Sequence, residues 1–224
     1  MKKENYNIIV LVISSLDATY QTLEQGIRDT WAKKTNSNIK VIFCYSDDRK
    51  KSEIIDDKLY CNSGADYLMN IGNKTISAFE FIEQNYSYNF IYRTNLSSYL
   101  DTYILNDLYK YFPKIKYYMG VLGNHDGISF CSGAGYLLSK DLVQLVLNNR
   151  SQWNHEYIDD VSLGILMSKF NVTHVNAQRF DIVNDEHHIP SDYYHYRVKN
   201  AGDRSVDVVR MKKIHELKNK YYEN

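Results

Sequence analysis

The chain opens on six consecutive apolar residues, Ile8-Ile9-Val10-Leu11-Val12-Ile13, with no polar position to mark a solvent face. Such a run predicts a strand buried on both sides. The period then changes: Tyr20, Leu23, Ile27 and Trp31 recur at helical spacing, with Asp17 or Thr19 available as caps. Residues 39–44 predict a second strand, which runs into the polar loop Ser46-Asp47-Asp48-Arg49-Lys50-Lys51. Ile76, Phe79 and Ile82 mark a helix opened by Asn73 or Thr75, and Phe90-Ile91-Tyr92 marks a third strand. A short helix near 105–111 stops at Pro113; strands follow at 117–122 and 128–131. Leu142, Leu145 and Val146 form a helix face, and residues 161–167 are apolar nearly all round, which predicts a buried helix. Residues 208–221 predict a terminal amphipathic helix with Ile214, Leu217 and Tyr221 on one side.

Alternating strands and helices imply an α/β fold, a Rossmann-like, mostly parallel mixed sheet flanked by helices. No repeat, low-complexity stretch or Pro/Gly linker interrupts the pattern, so residues 1–224 read as a single domain. Ligands of such sheets bind beyond the C-terminal ends of the strands. The loops after Ile13, Cys44, Tyr92 and Cys131 are therefore the places for chemistry. Ser14-Ser15-Leu16-Asp17 follows the first strand, where neither GxGxxG nor GxxxxGK[ST] occurs. A dinucleotide enzyme and a P-loop NTPase are set aside on that ground.

Lysine plus arginine and aspartate plus glutamate balance at 27 each, which argues for neither a nucleic-acid partner nor an anionic membrane surface. The 21 tyrosines against 2 prolines read as AT-rich coding bias of a viral or bacterial kind, not as chemistry. Cys44, Cys61 and Cys131 are an odd count without paired spacing, as expected of reduced thiols. The apolar run at 8–13 is too short for a signal peptide or a membrane span. A soluble cytoplasmic protein is the expectation, and the sequons at Asn73, Asn85, Asn95, Asn149 and Asn171 then reflect composition alone.

Two segments carry the most chemistry. In Cys131-Ser132-Gly133-Ala134-Gly135-Tyr136-Leu137-Leu138-Ser139, the small residues read as a turn after a strand, where main chain can approach a ligand without a Cβ in the way. In Ile158-Asp159-Asp160-Val161-Ser162-Leu163-Gly164, paired carboxylates open an apolar helix. One can cap the helix while the other faces a pocket as a base. Elsewhere Arg28-Asp29-Thr30-Trp31 closes the first helix, and reads by itself as a surface arginine beside a core tryptophan. Asp47 and Asp48 read as a solvated turn or as acceptors for ligand hydroxyls. Alternation along Tyr194-His195-Tyr196-Arg197-Val198-Lys199-Asn200 puts His195, Arg197 and Lys199 on one strand face. Glu186-His187-His188 reads as a loop.

In this order, the segments resemble the β-1,3-galactosyltransferase and Fringe-like glycosyltransferases. The family's Arg-x-x-Trp is matched by Arg28 and Trp31, its Cys-Ser-Gly-x-Gly-Tyr-x-x-Ser by residues 131–139, and its Glu/Asp-Asp-Val-x-x-Gly by residues 159–164. The resemblance spans about residues 8–200 and implies a GT-A fold, with a mainly nucleotide-binding half (1–100) and a mainly acceptor-binding and catalytic half (101–224). It implies inverting sugar transfer from a nucleotide-sugar donor, UDP by default, to a hydroxyl of a glycan or glycoconjugate, with Asp160 as general base beside Asp159. Donor-facing positions are then Ser14, Ser15, Arg28, Asp47, Asp48, Arg93, Thr94, Asn95, Ser97, Ser98, Gly133, Ala134, Gly135, His195, Arg197 and Lys199.

One departure stands out. Where the family carries Lys-Thr-Asp-Asp-Asp, this chain has Arg93-Thr94-Asn95-Leu96-Ser97. The Mn²⁺ or Mg²⁺ that the resemblance implies wants carboxylate oxygens. Three alternatives stay open: Arg93 supplies charge and metal dependence is weakened, with His195 as a further ligand candidate; Asp101 replaces the lost carboxylates; or catalysis is lost and the domain serves as a glycan-binding or assembly module. A nucleotidyltransferase should show an early glycine- and basic-rich triphosphate loop, which is missing.

Overall fold

β1 (Glu4–Ile13) is the centre of the molecule, and its alternating side chains build two cores at once. Ile8, Val10 and Val12 join one buried cluster while Ile9, Leu11 and Ile13 join the other. The computed structural model describes residues 3–184 and 188–223. After β1 come α1 (Ala18–Asp29), β2 (Ile39–Asp47), β3 (Glu53–Ile55), β4 (Lys58–Asn62), α2 (Ile71–Asn85), β5 (Tyr86–Asn95), β6 (Ser98–Leu100) and α3 (Thr102–Leu108). The chain continues through β7 (Tyr118–His125), β8 (Ile128–Ser139), α4 (Lys140–Asn148), α5 (Asp159–Lys169), β9 (His174–Asn176), β10 (Phe180–Asp181), β11 (His195–Arg197) and α6 (Ser205–Glu223).

The main sheet runs β3-β4-β2-β1-β5-β8-β7-β9. Its β4-β2-β1-β5 portion is parallel, and antiparallel β8 follows at β5. A small sheet, β10-β11-β6, sits beside it. Leu23 and Ile27 of α1, Trp31 just after it, and Met211 and Ile214 of α6 cover one face; α2, α4 and α5 cover the other with Ile76, Phe79, Leu142 and Leu163. The mixed sheet and its helical layers agree with the sequence reading. No helix among the described residues is long and apolar enough to cross a membrane.

Several local expectations change. β3 and β4 lie beyond the loop predicted at 46–51, where no element is predicted, because their three and five residues are too few to show a period. Asp17 caps α1 through Thr19 N–H, whereas α2 begins at Ile71, ahead of Asn73 and Thr75. The expected turn at Gly133 and Gly135 is absent, since both lie inside the twelve-residue strand β8. All three cysteines are free and buried, with Cys44 and Cys61 sulfurs 3.4 Å apart across β2 and β4. Burial pushes the Cys131 thiol up to about 12, so this sulfur packs instead of reacting. Residues 185–187, and with them most of Glu186-His187-His188, lie outside the described residues.

Candidate active site

The C-terminal ends of β1 and β5 meet β11 and the segment before α6 around a cleft of about 320 Å³. Ser14, Ser15, Asn95, Leu96, Ser97, Arg197 and Lys199 line it, as do Lys74 and Arg204. Tyr20, Tyr67, Leu68 and Ile71 form an apolar rim, with Tyr67 61% and Leu68 69% exposed. The result is a small polar cleft with a cationic wall and an aromatic lip.

Its floor is held by buried networks. Ser14 Oγ donates to Glu24 Oε2 at 2.5 Å, Tyr45 Oη donates to the same oxygen, and Arg28 Nε donates to Glu24 Oε1 at 2.9 Å. Arg28 also forms an ion pair with Asp57 at 2.7 Å and stacks over Phe43. It therefore holds Ser14 through Glu24 and does not itself line the cleft. Trp31 Nε1 donates to Ser98 C=O at 3.1 Å, so the two ends of the Arg28-x-x-Trp31 motif brace neighbouring strand ends. Asp47 is turned to Arg49 by an ion pair at 3.0 Å, and Asp48 is exposed; neither lines the cleft.

The carboxylate pair does not line this cleft; it is joined to Asn95 through Gly133, whose carbonyl lies 3.5 Å from Asn95 Nδ2 and whose N–H donates to Asp160. Ile158 takes the N-cap position of α5 and makes no side-chain cap, so neither aspartate serves as the expected N-cap residue. Asp159 is clamped: Arg93 Nη2 approaches its two oxygens at 2.7 and 2.8 Å, and Thr75 Oγ1 donates at 2.9 Å. Burial pushes its carboxyl above the usual range, against the pull of Arg93. Asp160 accepts from Gly133 N–H at 2.7 Å on Oδ2 and from Val161 N–H at 2.9 Å on Oδ1, leaving lone-pair capacity on both oxygens. It is 8% exposed against 2% for Asp159.

Arg93 is 2% exposed and spans the Asp159 carboxylate and the Gly133 carbonyl, so its guanidinium is turned inward and does not line the cleft. Gly133 and Gly135 lack side chains for the protein's own sake. A Cβ on Gly133 would come 2.8 Å from Arg93 Nη1 and 2.9 Å from Asp160 Oδ2. One on Gly135 would overlap Tyr92 Oη and His195 Cε1. Thr94 and Ser98 hydroxyls both donate to the Ala134 carbonyl and are fully buried, so these three face inward rather than toward a donor. Gly135→Ala is expected to cost about 1–3 kcal/mol by overpacking, read as a lowered urea midpoint with an unchanged slope; an unchanged midpoint would refute the close packing.

His195 is 1% exposed with both ring nitrogens engaged, Nδ1 by Tyr92 Oη at 2.9 Å and Nε2 by Ser98 Oγ at 3.1 Å. The Ser98 hydroxyl donates to Ala134, so it accepts from Nε2–H, and Nδ1 accepts from Tyr92. Burial, Arg179 and Arg197 hold this imidazole well below its ordinary pKa. It is neutral and fully partnered, which removes it both as metal ligand and as a charge on a leaving group. In the unfolded chain it takes a proton near pH 6.5, while the folded form resists. Stability is therefore whole above about pH 6.5 and falls progressively below it. Thermal melts of wild type and His195→Gln from pH 7.5 to 5 should show the wild type losing more.

Sequence reasoning missed Arg179, Lys74 and Arg204. Arg179, 4% exposed at its side chain, pairs with Asp181 at 2.5 Å and reaches Ser132 Oγ at 3.4 Å. It lies in an irregular stretch without periodicity. Lys74 bonds Ser14 C=O at 2.9 Å and Asp66 at 2.5 Å, and Arg204 bonds Ser97 Oγ at 2.6 Å and Asp207 at 2.9 Å. Asp101 caps α3 and pairs with Lys218 and Tyr222, so it does not replace the lost carboxylates. Among the described residues no cluster of three His, Cys, Asp or Glu could hold a metal.

The Galactosyltransferase family model matches residues 124–178, which include β8 and α5. Solved structures align over nearly the whole chain. A glycosyltransferase involved in glycosylation of the major capsid of PBCV-1 aligns with 92% of this chain and 99% of its own, at 8% identity and a TM-score of 0.58. Galactosyltransferase LgtC, in complex with donor and acceptor sugar analogs, aligns over 94% and 95% at 10% identity and 0.53. The glycosyltransferase GlyE of Streptococcus pneumoniae aligns over 98% of this chain and 64% of its own, at 12% identity and 0.54. No curated protein sequence matches the chain.

The chain has the fold of the GT-A glycosyltransferases and carries a match to the Galactosyltransferase family model over residues 124–178. At such identities the structural likeness speaks for the fold, while the family match falls on the two segments that carry the Asp160 carboxylate and its Gly133 partner. The GT-A fold often goes with a divalent metal. Here the residues do not fit one. Asn95 Oδ1 already accepts from Ser97 N–H, Leu96 is buried, and Ser97 Oγ accepts from the Arg204 guanidinium. A dication at this strand end would face a fixed cation.

Proposed function

We propose that the domain transfers a sugar, with inversion, from a nucleotide-sugar donor to a hydroxyl of a glycan, with UDP as the default nucleotide. Arg197 lines the cleft and feels the charge of Asp160, which links the cationic wall to the carboxylate across Gly133. The observation that carries this reading is the asymmetry of the two aspartates: Asp159 is spent on Arg93 and Thr75, while Asp160, which does not itself line the cleft but interacts electrostatically with Arg197, keeps acceptor capacity on both oxygens.

In the proposed reaction the acceptor hydroxyl gives its proton to the Asp160 carboxylate, and its oxygen forms a bond to the anomeric carbon. The bond from that carbon to the diphosphate oxygen breaks on the opposite face, and the electron pair leaves with the diphosphate. The aromatic lip suits a nucleobase and the cationic wall suits phosphates. Both chain halves contribute, since Arg197, Lys199 and Arg204 meet residues from the first hundred.

The test is product formation from a panel of nucleotide sugars, with NMR of the new glycosidic bond. Inverted anomeric configuration supports the proposal. Retained configuration removes the role of Asp160 as base, and no transfer from any donor favours a glycan-binding or assembly module.

A further inference from the structure

We propose that this cleft grips the donor's diphosphate with fixed side-chain cations, Arg197, Lys199 and Arg204, in the place where a divalent metal would otherwise serve. The inference rests on the nucleotide-sugar reading of the cleft and deepens it.

Three observations converge. The strand end that should present carboxylates presents Asn95, Leu96 and Ser97, none with an anionic oxygen. The Ser97 hydroxyl is held 2.6 Å from Arg204, so a guanidinium occupies the neighbourhood a metal needs. The Arg197 and Lys199 side chains line the cleft and make no hydrogen bond or ion pair among the described residues. Arg197 is half-buried, and desolvation together with the nearby Arg179 holds its guanidinium below its ordinary range. Asp181 and Asp160 offset this only in part, so a partly dehydrated cation crowded by another cation gains from a further anion to share. A diphosphate supplies that anion, and a guanidinium fork matches its oxygens at two points. Lys74 differs from these three: Ser14 and Asp66 already engage its ammonium, so it shapes the cleft wall.

Side-chain cations can also do the catalytic work of stabilising the departing diphosphate, and Arg204, held by Ser97 and Asp207, needs little reorganisation as negative charge develops. The arrangement explains why the metal-binding strand end differs while the Asp160 segment is kept.

The experiment is calorimetric titration of UDP, GDP, ADP and CDP into the full chain, in EDTA and again with Mn²⁺. At least one nucleoside diphosphate should bind with the same affinity, within about threefold, in both conditions. Arg197→Gln should weaken it roughly 10- to 100-fold, as expected for loss of a charge-assisted contact. Lys199→Gln, at an exposed position, should weaken it less and serves should Arg197→Gln fail to fold. Binding that vanishes in EDTA and returns with Mn²⁺, equal affinity in both variants, or no binding by any of the four at millimolar concentration would each overturn the inference. Metal-free, Arg197-dependent binding without transfer would leave it standing and remove the transferase reading; transfer that demands Mn²⁺ would do the reverse.

Discussion

Arg93→Met should destabilise the protein by about 3–5 kcal/mol, the usual consequence of removing one partner from a buried ion pair. The substitution keeps much of the side chain's length and removes its charge. Asp159, with both oxygens facing Arg93, would be left inside the protein with only Thr75 to satisfy it. The Gly133 carbonyl would lose a donor in the same step. Since whole domains are stable by only about 5–15 kcal/mol, a large part of the folding free energy is at stake. The deficit should depend on pH. Burial already pushes the Asp159 carboxyl up, and Arg93 is the main force drawing it down. Without Arg93 the folded-state pKa rises further above the unfolded value of about 3.9. Such a group contributes stability below its unfolded pKa and loses it as pH rises through the folded value. Urea titrations should therefore show the gap from wild type narrowing as pH falls from 7.5 to 5. Arg93→Met/Asp159→Leu should recover part of the loss, because no charge remains buried. A single variant within about 1 kcal/mol of wild type at pH 7.5 would place Arg93 outside the clamp, since only exposed pairs are that weak.

The role of Arg93 also illustrates what a sequence hides. A charged residue near the end of a buried strand, beside a lost acidic motif, looks like a substitute for metal charge. Its actual partner, Asp159, is far away in the chain and reaches it only because α5 packs on β8. The glycines show the same limit. Gly133 and Gly135 were legible as positions of close approach, but one strand, not a turn, carries them. What approaches is Arg93, Asp160, Tyr92 and His195, not a ligand. What a one-dimensional pattern does convey is periodicity and local chemistry: the doubly buried β1, the buried α5 and the carboxylate pair at its start are all where the residues put them. Arg179, Lys74 and Arg204 were not legible, because each sits in a loop or on a helix where a cation reads as solvated. Their meaning comes from what they face.

Asp160→Asn should lower transfer by roughly 10²- to 10⁴-fold, the range general-base catalysis supplies, while leaving donor affinity and the melting temperature close to wild type. The carboxamide keeps the size of the carboxylate and an oxygen able to accept from Gly133 N–H, so β8 and α5 stay joined, and its NH2 gives up only the bond from the adjacent Val161 N–H. It loses the basicity that takes the acceptor proton. That split is what separates a base from a brace. A structural role would show as a loss of stability, as expected for Asp159, whose oxygens are committed to Arg93 and Thr75. Asp159→Asn should thus lower the melting temperature more than Asp160→Asn does, and Asp160→Asn should lower the chemical step more. Single-turnover measurement with saturating donor isolates that step from binding and release. A wild-type rate in Asp160→Asn would remove the base from the proposed mechanism. A reduced rate with equally reduced nucleotide affinity would instead move Asp160 to donor positioning, because the loss would then lie in binding shared by ground and transition states.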